Sequence, residues 1–340
     1  ASPTAETYLS TSEVDEQTSA TGHPSPATVA DPDSKLMFTS PTAGPSATML
    51  PLHRRTFATS NYKRFYTEAL ATIMQHRLLG AMEKVLMLYA KRINALTEDK
   101  AVSTFIDLDV MDFIMNLQGD AFKHDEAMQH DVDAMAEYLW TSSKKHSIVK
   151  DMELCSVINA VIRDDVAEEI EAATIIFRSI NSRRVRRGNV YANLNVQSYP
   201  PAGETWRGGG FRREHRPFFD HMIGKKYRVP GFLATSLRRE IAASFAFQAS
   251  KANPSHPSAM WRITFDPRGK EHPEYRVRHM TLVSKTLVAG EHEYLFAPYS
   301  VFTLVSVKWR PGLIHAHQFT IRAARDNKEE DECLPLSPWY

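Results

Sequence analysis

The sequence has few cysteines, no long apolar run and almost no net charge. Its 340 residues include only Cys155 and Cys333, which are too far apart to suggest a disulfide framework or a zinc site and favour a reducing, cytoplasmic compartment. No apolar segment is long enough to span a bilayer. The formal net charge of +1 gives no overall field towards nucleic acid or membrane. We therefore expect neither a membrane span nor a nucleic-acid partner.

The chain begins at Ala1, without a methionine or a hydrophobic leader. A processed or truncated form is therefore expected, and secretion after removal of a signal stays open. With 340 residues, of which 43% are hydrophobic, the chain can bury a substantial core and has the length of two domains.

Composition divides the chain into four segments. Residues 1–60 are dominated by Ser, Thr, Ala and Pro and bury too little apolar surface to offset their ordering entropy, so they are predicted to be disordered. Apolar residues at helical spacing predict a small all-α domain over residues 61–148. Residues 149–326 are predicted to form the main domain, and residues 327–340 a C-terminal tail.

Three helical stretches are predicted in the all-α domain: Tyr62–Leu96, Phe105–Leu117 and Ala127–Trp140. The first is one long amphipathic helix or two helices that break near Gly80. Ser103 or Thr104 is the expected cap of the second.

In the main domain, helical patterns come first and strand patterns follow. Helices are predicted from Leu154 and from Val166, with Asp164 or Asp165 as the cap of the second helix. Short runs that often alternate predict strands at Trp261–Phe265, Val301–Val307 and Phe319–Ile321. Helices followed by strands indicate an α+β domain with a largely antiparallel sheet.

Charge is distributed unevenly along the chain. Residues 98–137 contain 11 acidic and 2 basic residues, and residues 178–239 contain 14 basic and 3 acidic residues. Two solvated surfaces of opposite sign explain this pattern. An open alternative is that the acidic helices dock beside the basic, nucleotide-binding segment and control access to it. A second alternative is that Arg183, Arg184, Arg186 and Arg187 recognise an acidic partner or nucleic acid.

Glu291 and Glu293 stand where a strand is expected to begin. Side chains two residues apart on a strand point to the same face, so both carboxylates would face one site. Their mutual repulsion serves no purpose in folding. A solvated strand edge is the other interpretation.

Two further motifs precede this pair, and the set in chain order is Trp206–Gly208, Phe232–Ser236 and Glu291–Leu295. In order and spacing the three motifs resemble the signature of mono-ADP-ribosyltransferases of the arginine-serine-glutamate class, in the arginine-specific Glu-x-Glu type. The resemblance covers roughly residues 150–325. It implies a two-sheet core with flanking helices and NAD bound in the cleft between the sheets.

The resemblance also implies the roles of the two glutamates. Glu293 would be catalytic, because a fixed carboxylate stabilises the positive charge that develops on the ribose as nicotinamide leaves. Glu291 would hold and orient the guanidinium of an acceptor arginine by a forked hydrogen bond.

Four residues are implied to bind NAD: Arg207, Gly208, Thr235 and Ser236. Arg207 offers a planar cation for the pyrophosphate, and Gly208 lets the backbone approach the ligand. A strand-end arginine in an ordinary salt bridge is the alternative for Arg207. A strand end followed by a helix cap is compatible with the assignment of Thr235 and Ser236.

Ala234 departs from the family pattern, which has at this position the serine that orients the catalytic glutamate. Loss of one hydrogen bond to a charged group costs about 1.5–3 kcal/mol, or roughly a tenfold to hundredfold loss of rate. Thr235 or a water molecule could supply the hydrogen bond that the missing serine hydroxyl would have made. The predicted activity is therefore weakened but not excluded.

We predict an enzyme that transfers ADP-ribose from NAD, used as substrate without a metal, to an exposed arginine of a protein acceptor and releases nicotinamide. An NAD glycohydrolase with the same site, a catalytically degenerate binding module and an unrelated interaction protein stay open as alternatives. His315 and His317 lack the nearby carboxylate or cysteine of a metal site. Cys155 is predicted to be a core residue rather than a nucleophile.

Overall fold

The computed structural model describes residues 55–68, 74–94, 100–182, 199–283, 293–310 and 316–338, with the side chains of residues 100–107 and 182 excepted. All of them belong to one compact unit. Most of the predicted disordered segment lies outside the described residues. Of this segment, residues 55–60 are described, and the Arg55 guanidinium donates to the Asp164 carbonyl at 3.0 Å. The disorder predicted for residues 1–60 stays a prediction.

Eight helices lie in the described residues: α1 (Asn61–Glu68), α2 (Gln75–Asn94), α3 (Lys100–His124), α4 (Val132–Trp140), α5 (Leu154–Asp164), α6 (Ala167–Ser182), α7 (Arg216–Met222) and α8 (Arg239–Ala252). Of the two alternatives for the first helical stretch, the break near Gly80 is wrong, since α2 continues through this residue. A mid-helix glycine costs about 1 kcal/mol relative to alanine. Burial of residues such as Leu78, Met82 and Val85 outweighs that cost.

The capping predictions in the all-α segment are also corrected. Helix α3 begins at Lys100, so Ser103 and Thr104 lie inside it and not at its cap. The predicted helix from Ala127 is interrupted before α4, because the Asp131 carboxylate accepts the Ala134 N–H at 2.9 Å. This bond satisfies an N-terminal N–H that would otherwise lack an intrahelical partner.

Asp165 was predicted as a possible cap of α6, but its carboxylate caps α1. It accepts the N–H groups of Asn61 and Tyr62 at 3.0 and 3.1 Å. Asp165 itself has a left-handed φ of 56° at the end of α5. The cap therefore links two helices that are distant in sequence, a contact that local sequence patterns do not contain.

A small two-stranded sheet pairs β1 (Lys145–His146) with β2 (Met152–Glu153). The large sheet contains β3 (Glu204–Gly210), β4 (Lys226–Val229), β5 (Leu233–Ser236), β6 (Ser258–Thr264), β7 (Met280–Val283), β8 (Glu293–Phe296), β9 (Ser300–Lys308) and β10 (His317–Ala323). Its order is β4-β9-β10-β6-β3-β5-β8-β7, antiparallel except for β10 beside β6. The predicted α+β class, the largely antiparallel sheet and the strands within β6, β9 and β10 are confirmed.

The large sheet consists of two parts joined at one residue pair. Strands β4, β9, β10, β6 and β3 form one part, and β5, β8 and β7 form the other. Strand β3 meets β5 only where Trp206 pairs with Ser236. The two-sheet core implied by the resemblance thus corresponds to two sub-sheets with a single-pair joint.

Two apolar clusters stabilise this arrangement. The first combines buried residues of α1 to α6 with Phe232, Val283 and Leu295 of the sheet region. The second is rich in aromatic residues and includes Phe211, Phe219, Tyr227, Trp261, Phe296, Phe302 and Phe319. The domain boundary at residue 148 stays a prediction, and helices on both sides of it share the first cluster.

The described part of the predicted C-terminal tail docks onto β4. The Arg228 N–H donates to the Pro335 carbonyl at 2.9 Å, and the Ser337 N–H donates to the Arg228 carbonyl at 2.8 Å. The Arg228 side chain, only 1% exposed, donates to the carbonyls of Tyr299 and Glu330 at 2.9 and 3.0 Å. Carbonyl dipoles and the nearby carboxylates of Glu330, Glu332 and Asp331 thus stabilise its charge in place of water.

We predict that Arg228→Met lowers the free energy of unfolding by about 3–5 kcal/mol, because several buried carbonyls lose a charged donor at once. The urea midpoint measures this change. Arg325→Gln is the matched control, since Arg325 is exposed in its pair with Glu329 and should change stability by less than about 0.5 kcal/mol. Equal midpoints for Arg228→Met and the wild type would show that the tail docks without the guanidinium.

Candidate active site

Strand register brings the three sequence motifs to one place. Ser236, the last residue of β5, pairs with Trp206 of β3 on one side and with Glu293 of β8 on the other. Arg207 follows Trp206 directly on β3. One residue of the middle motif therefore fixes the separation between the arginine motif and the glutamate motif.

Arg207 lies in the middle of β3, not at its end, because Gly208, Gly209 and Gly210 continue the strand beside β6. Its guanidinium Nη1 donates to the Ala234 carbonyl at 2.9 Å. Burial lowers the pKa of Arg207 to about 10, while the nearby Glu293 carboxylate acts in the opposite direction. The guanidinium is therefore charged at neutral pH and lies within the field of Glu293.

Glu293 is the first residue of β8, as expected for a carboxylate at a strand start. It is half-buried and lies in register between Ser236 of β5 and Val283 of β7. Glu291, the predicted acceptor residue, lies outside the described residues, as does the rest of 284–292. Its orientation towards the same site stays a prediction.

Alternation along β5 and β8 decides which side chains share a face with Glu293. Ala234 and Leu295 pack against the helical cluster, so Ser236 and Glu293, each two residues away, face the same side. Thr235 lies between Ala234 and Ser236 and faces the opposite side. Of the two hydroxyl residues in this motif, only Ser236 is therefore on the glutamate's side of the sheet.

The hydrogen bonds of the two hydroxyls agree with this difference. Thr235 Oγ1 donates to the Tyr294 carbonyl at 2.9 Å, so its proton is already used. Ser236 Oγ accepts the Arg238 N–H at 3.0 Å, which leaves its own proton able to donate. Ser236 forms a turn before α8 and does not cap it, because the N-cap residue is Arg238.

Helix α5 supports the middle motif from behind. The Phe232 N–H donates to Asn159 Oδ1 at 2.9 Å. A Cβ at Gly231 would lie 3.0 Å from the same oxygen, so a side chain there would crowd this contact. Asn159 had no predicted role. The sequence does contain a signal for such a role, since Asn159 is an amide among the mostly apolar residues of α5.

Cys155 lies near the start of α5, close enough to Glu153 and Glu293 for both carboxylates to act on its thiol. Burial raises the pKa of its thiol to about 12, helped by the carboxylates of Glu153 and Glu293. Its Sγ lies 3.7 Å from Glu153 Oε2. A thiol held protonated in this way is a poor nucleophile, in agreement with its predicted role as a packing residue.

Gly208 is needed for packing between β3 and α8. A Cβ on Gly208 would lie 1.6 Å from the Ala242 carbonyl oxygen and 2.7 Å from the Ala246 nitrogen. The absence of a side chain therefore lets the helix backbone approach the strand. Contact of Gly208 with a ligand stays a prediction, and the geometry gives this glycine a different reason to be present.

The remaining sequence candidates lie elsewhere. His315 is outside the described residues, and His317 Nδ1 accepts the Arg310 N–H at 3.1 Å. Within the described ranges, no three His, Cys, Asp or Glu side chains form a group that could hold a metal. No helix of these ranges has both the length and the apolar character needed to cross a bilayer.

The sequence matches no protein-family model and no curated protein. Among solved structures, the Vis toxin, an ADP-ribosyltransferase from Vibrio splendidus, aligns at 14% identity and a TM-score of 0.37, covering 62% of this chain and 85% of the toxin. The ADP-ribosyltransferase HopU1 of Pseudomonas syringae pv. tomato aligns at 14% identity and a TM-score of 0.37, covering 60% of this chain and 85% of HopU1. The C3 exoenzyme of Clostridium limosum aligns at 15% identity and a TM-score of 0.34, covering 59% of this chain and 95% of the exoenzyme. TM-scores of this size do not assign a fold, so the α+β description rests on the helices and strands above.

We predict that Gly208→Ala disrupts the packing of α8 and lowers the free energy of unfolding by about 3 kcal/mol or more, because its methyl group meets backbone rather than a movable side chain. Gly209→Ala is the control. Its Cβ would lie 3.8 Å from the Trp261 ring, an ordinary contact, so a change below about 1 kcal/mol is expected. Equal urea midpoints for the two variants would contradict the packing role of Gly208.

Proposed function

We propose that the protein transfers ADP-ribose from NAD to an arginine side chain of a protein acceptor. The observation that carries this proposal is the register of Ser236 with both Trp206 and Glu293. It brings a half-buried arginine and a half-buried glutamate together from two strands that are far apart in sequence. The proposal otherwise rests on the resemblance of the motifs that contain these residues.

The chemistry of the cluster suits cleavage of the bond between nicotinamide and ribose. The Glu293 carboxylate would lie against the ribose and stabilise the positive charge that develops there. A carboxylate in a partly water-excluded site acts more strongly than one in bulk solvent. Glu291 would orient the acceptor guanidinium, which must be positioned because its pKa is above 12.

The residues present fit NAD in part. A guanidinium has five N–H donors, and the bond to Ala234 uses one of them, so Arg207 retains donors for a pyrophosphate. Gly208 and Thr235 fit less well, because α8 covers the glycine and the threonine hydroxyl donates to backbone. Arg207, Ser236 and Glu293 are therefore the residues in which we place the site.

Ser236 would also replace the serine that the family has at Ala234. Residues directly opposite each other on antiparallel strands have Cβ atoms about 4.5–5.5 Å apart, so a hydroxyl at position 236 can reach the carboxylate of its partner Glu293. Ser236 is thus proposed as a positioning residue for the catalytic glutamate. We therefore propose Ser236, and not Thr235, as the residue whose hydroxyl substitutes for the serine missing at position 234.

A catalytically degenerate binding module is the second candidate, and Ala234 is the observation that favours it. Such a module would bind NAD without cleaving it. An NAD glycohydrolase would use the same residues with water as the acceptor, so its products alone distinguish it from a transferase.

We expect the purified chain to transfer label from labelled NAD to agmatine, and Glu293→Gln to abolish both transfer and nicotinamide release. Glu291→Gln should lose transfer and keep nicotinamide release, because it removes the acceptor contact only. Nicotinamide release without transfer by the wild type would indicate a glycohydrolase. Binding of NAD without release would indicate the degenerate module, and absence of both would refute the family assignment.

We expect Ser236→Ala to lower kcat for nicotinamide release about tenfold to hundredfold, because Glu293 loses the hydrogen bond that orients it. Ala234→Ser, on the same face, should restore most of the loss in the Ser236→Ala background and add little to the wild type. Thr235→Val tests the alternative. A larger fall in kcat for Thr235→Val than for Ser236→Ala would assign the positioning role to Thr235.

A further inference from the structure

A second concave site lies beyond the end of β3, where Phe211 follows Gly210. It is a cavity of about 290 Å³ lined by Phe211, Arg213, Arg216, Pro257, Trp309, Arg310 and His317. Four elements meet here, since Trp309 follows β9, His317 begins β10 and Pro257 precedes β6. The cavity shares no residue with the Arg207–Glu293 cluster, and no role has been assigned to it so far.

Three rings form the apolar wall of this cavity. Trp309 lies 5.2 Å from Phe211 and 5.1 Å from His317 between ring centroids, and Phe211 lies 5.6 Å from His317 in an edge-on arrangement. Trp309 Nε1 donates to Asp220 Oδ1 at 2.7 Å, which fixes the indole. The cavity therefore offers aromatic surface to a ligand.

Three arginines supply the charge of the cavity. Arg216 lies over the Trp309 ring at 4.8 Å and pairs with Asp220 at 3.3 Å, so its guanidinium is held in place. Arg213 and Arg310 complete the set. The described residues that line the cavity include no carboxylate, and the Asp220 carboxylate behind Arg216 and Trp309 offsets the charge of Arg216 only.

The remaining polar side chain of the lining also acts as a donor. His317 Nδ1 accepts the Arg310 N–H at 3.1 Å, and burial together with Arg216 and Arg213 lowers the pKa of the imidazole. The neutral ring therefore carries its proton on Nε2. The polar side chains of the lining consequently present donors to a ligand, which selects for groups that only accept, such as phosphate.

We propose that this cavity binds a mononucleotide, with its phosphate on the arginines and its base against the aromatic wall. Arginine matches phosphate in a bidentate way, and bases stack on aromatic rings and guanidinium planes. Small-molecule sites usually have volumes of about 300–1,000 Å³, and a cavity of about 290 Å³, just below this range, suits one nucleotide rather than a dinucleotide. A protein partner would need a much larger surface, about 800 Å² per side.

Calorimetric titration of the full chain with AMP tests the proposal. We expect AMP to bind, and the double variant Arg213→Gln/Arg310→Gln to bind it at least tenfold more weakly. Ribose 5-phosphate should bind the wild type at least tenfold more weakly than AMP, because it lacks the base. Arg325→Gln is the control, since this exposed arginine pairs with Glu329 outside the cavity, and its AMP affinity should be unchanged.

Arg207→Gln separates this cavity from the proposed NAD site, because AMP is also part of NAD. We expect Arg207→Gln to keep the AMP affinity of the wild type, with thermal melting used to confirm that each variant is folded. Loss of AMP binding in Arg207→Gln but not in Arg213→Gln/Arg310→Gln would place AMP in the other site and overturn the proposal. Absence of AMP binding, or equal affinity for AMP and inorganic phosphate, would overturn it as well.

Discussion

The candidate site depends on one backbone pairing, that of Ser236 with Trp206 on one side and Glu293 on the other. Elsewhere in the large sheet, neighbouring strands share ladders of several residues, but the two sub-sheets share this single pair. A short joint leaves the strands free to diverge on either side of it. Arg207, Ser236 and Glu293 all lie at or next to this joint, so the candidate site is built where the pairing between neighbouring strands is shortest.

A joint of one residue pair needs support from the layers around it. On one side, α5 holds the start of β5 through Asn159, whose amide contacts the Phe232 backbone. At β3, α8 lies directly against Gly208. The helical cluster adds Leu295 and Val283 to the same core as α1 to α6. The helices before residue 148 therefore form part of the apolar layer on the side that Glu293 faces.

The sequence predicted those features that follow from local pattern. Alternating residues identified β6, β9 and β10, and the position of Glu293 at a strand start follows from the apolar run after it. Features that depend on distant partners were not predictable in this way. Asp165 caps α1 through a contact between separate helices. Gly208 is explained by its contact with the backbone of α8, which follows β3 in the chain only after α7, β4 and β5. At Gly80 the local pattern left a break open, and tertiary burial along α2 decides against it by outweighing the low helix propensity of one glycine.

In the proposed function, the two-residue period of a strand decides which residue can supply a hydroxyl in place of the serine that the resembled family has at position 234. Position 234 faces the helical cluster, so a substitute hydroxyl must come from the same face, and position 235 is excluded by geometry before its chemistry matters. Its hydrogen bond to the Tyr294 carbonyl reflects that opposite orientation. The side chain of residue 236 lies on the same face as that of residue 234. Ser236 is directly opposite Glu293 in the strand register, whereas residue 234 is diagonal to it. A serine there is nearer to the carboxylate than one at 234 would be, so alanine at 234 is compatible with a well-oriented glutamate.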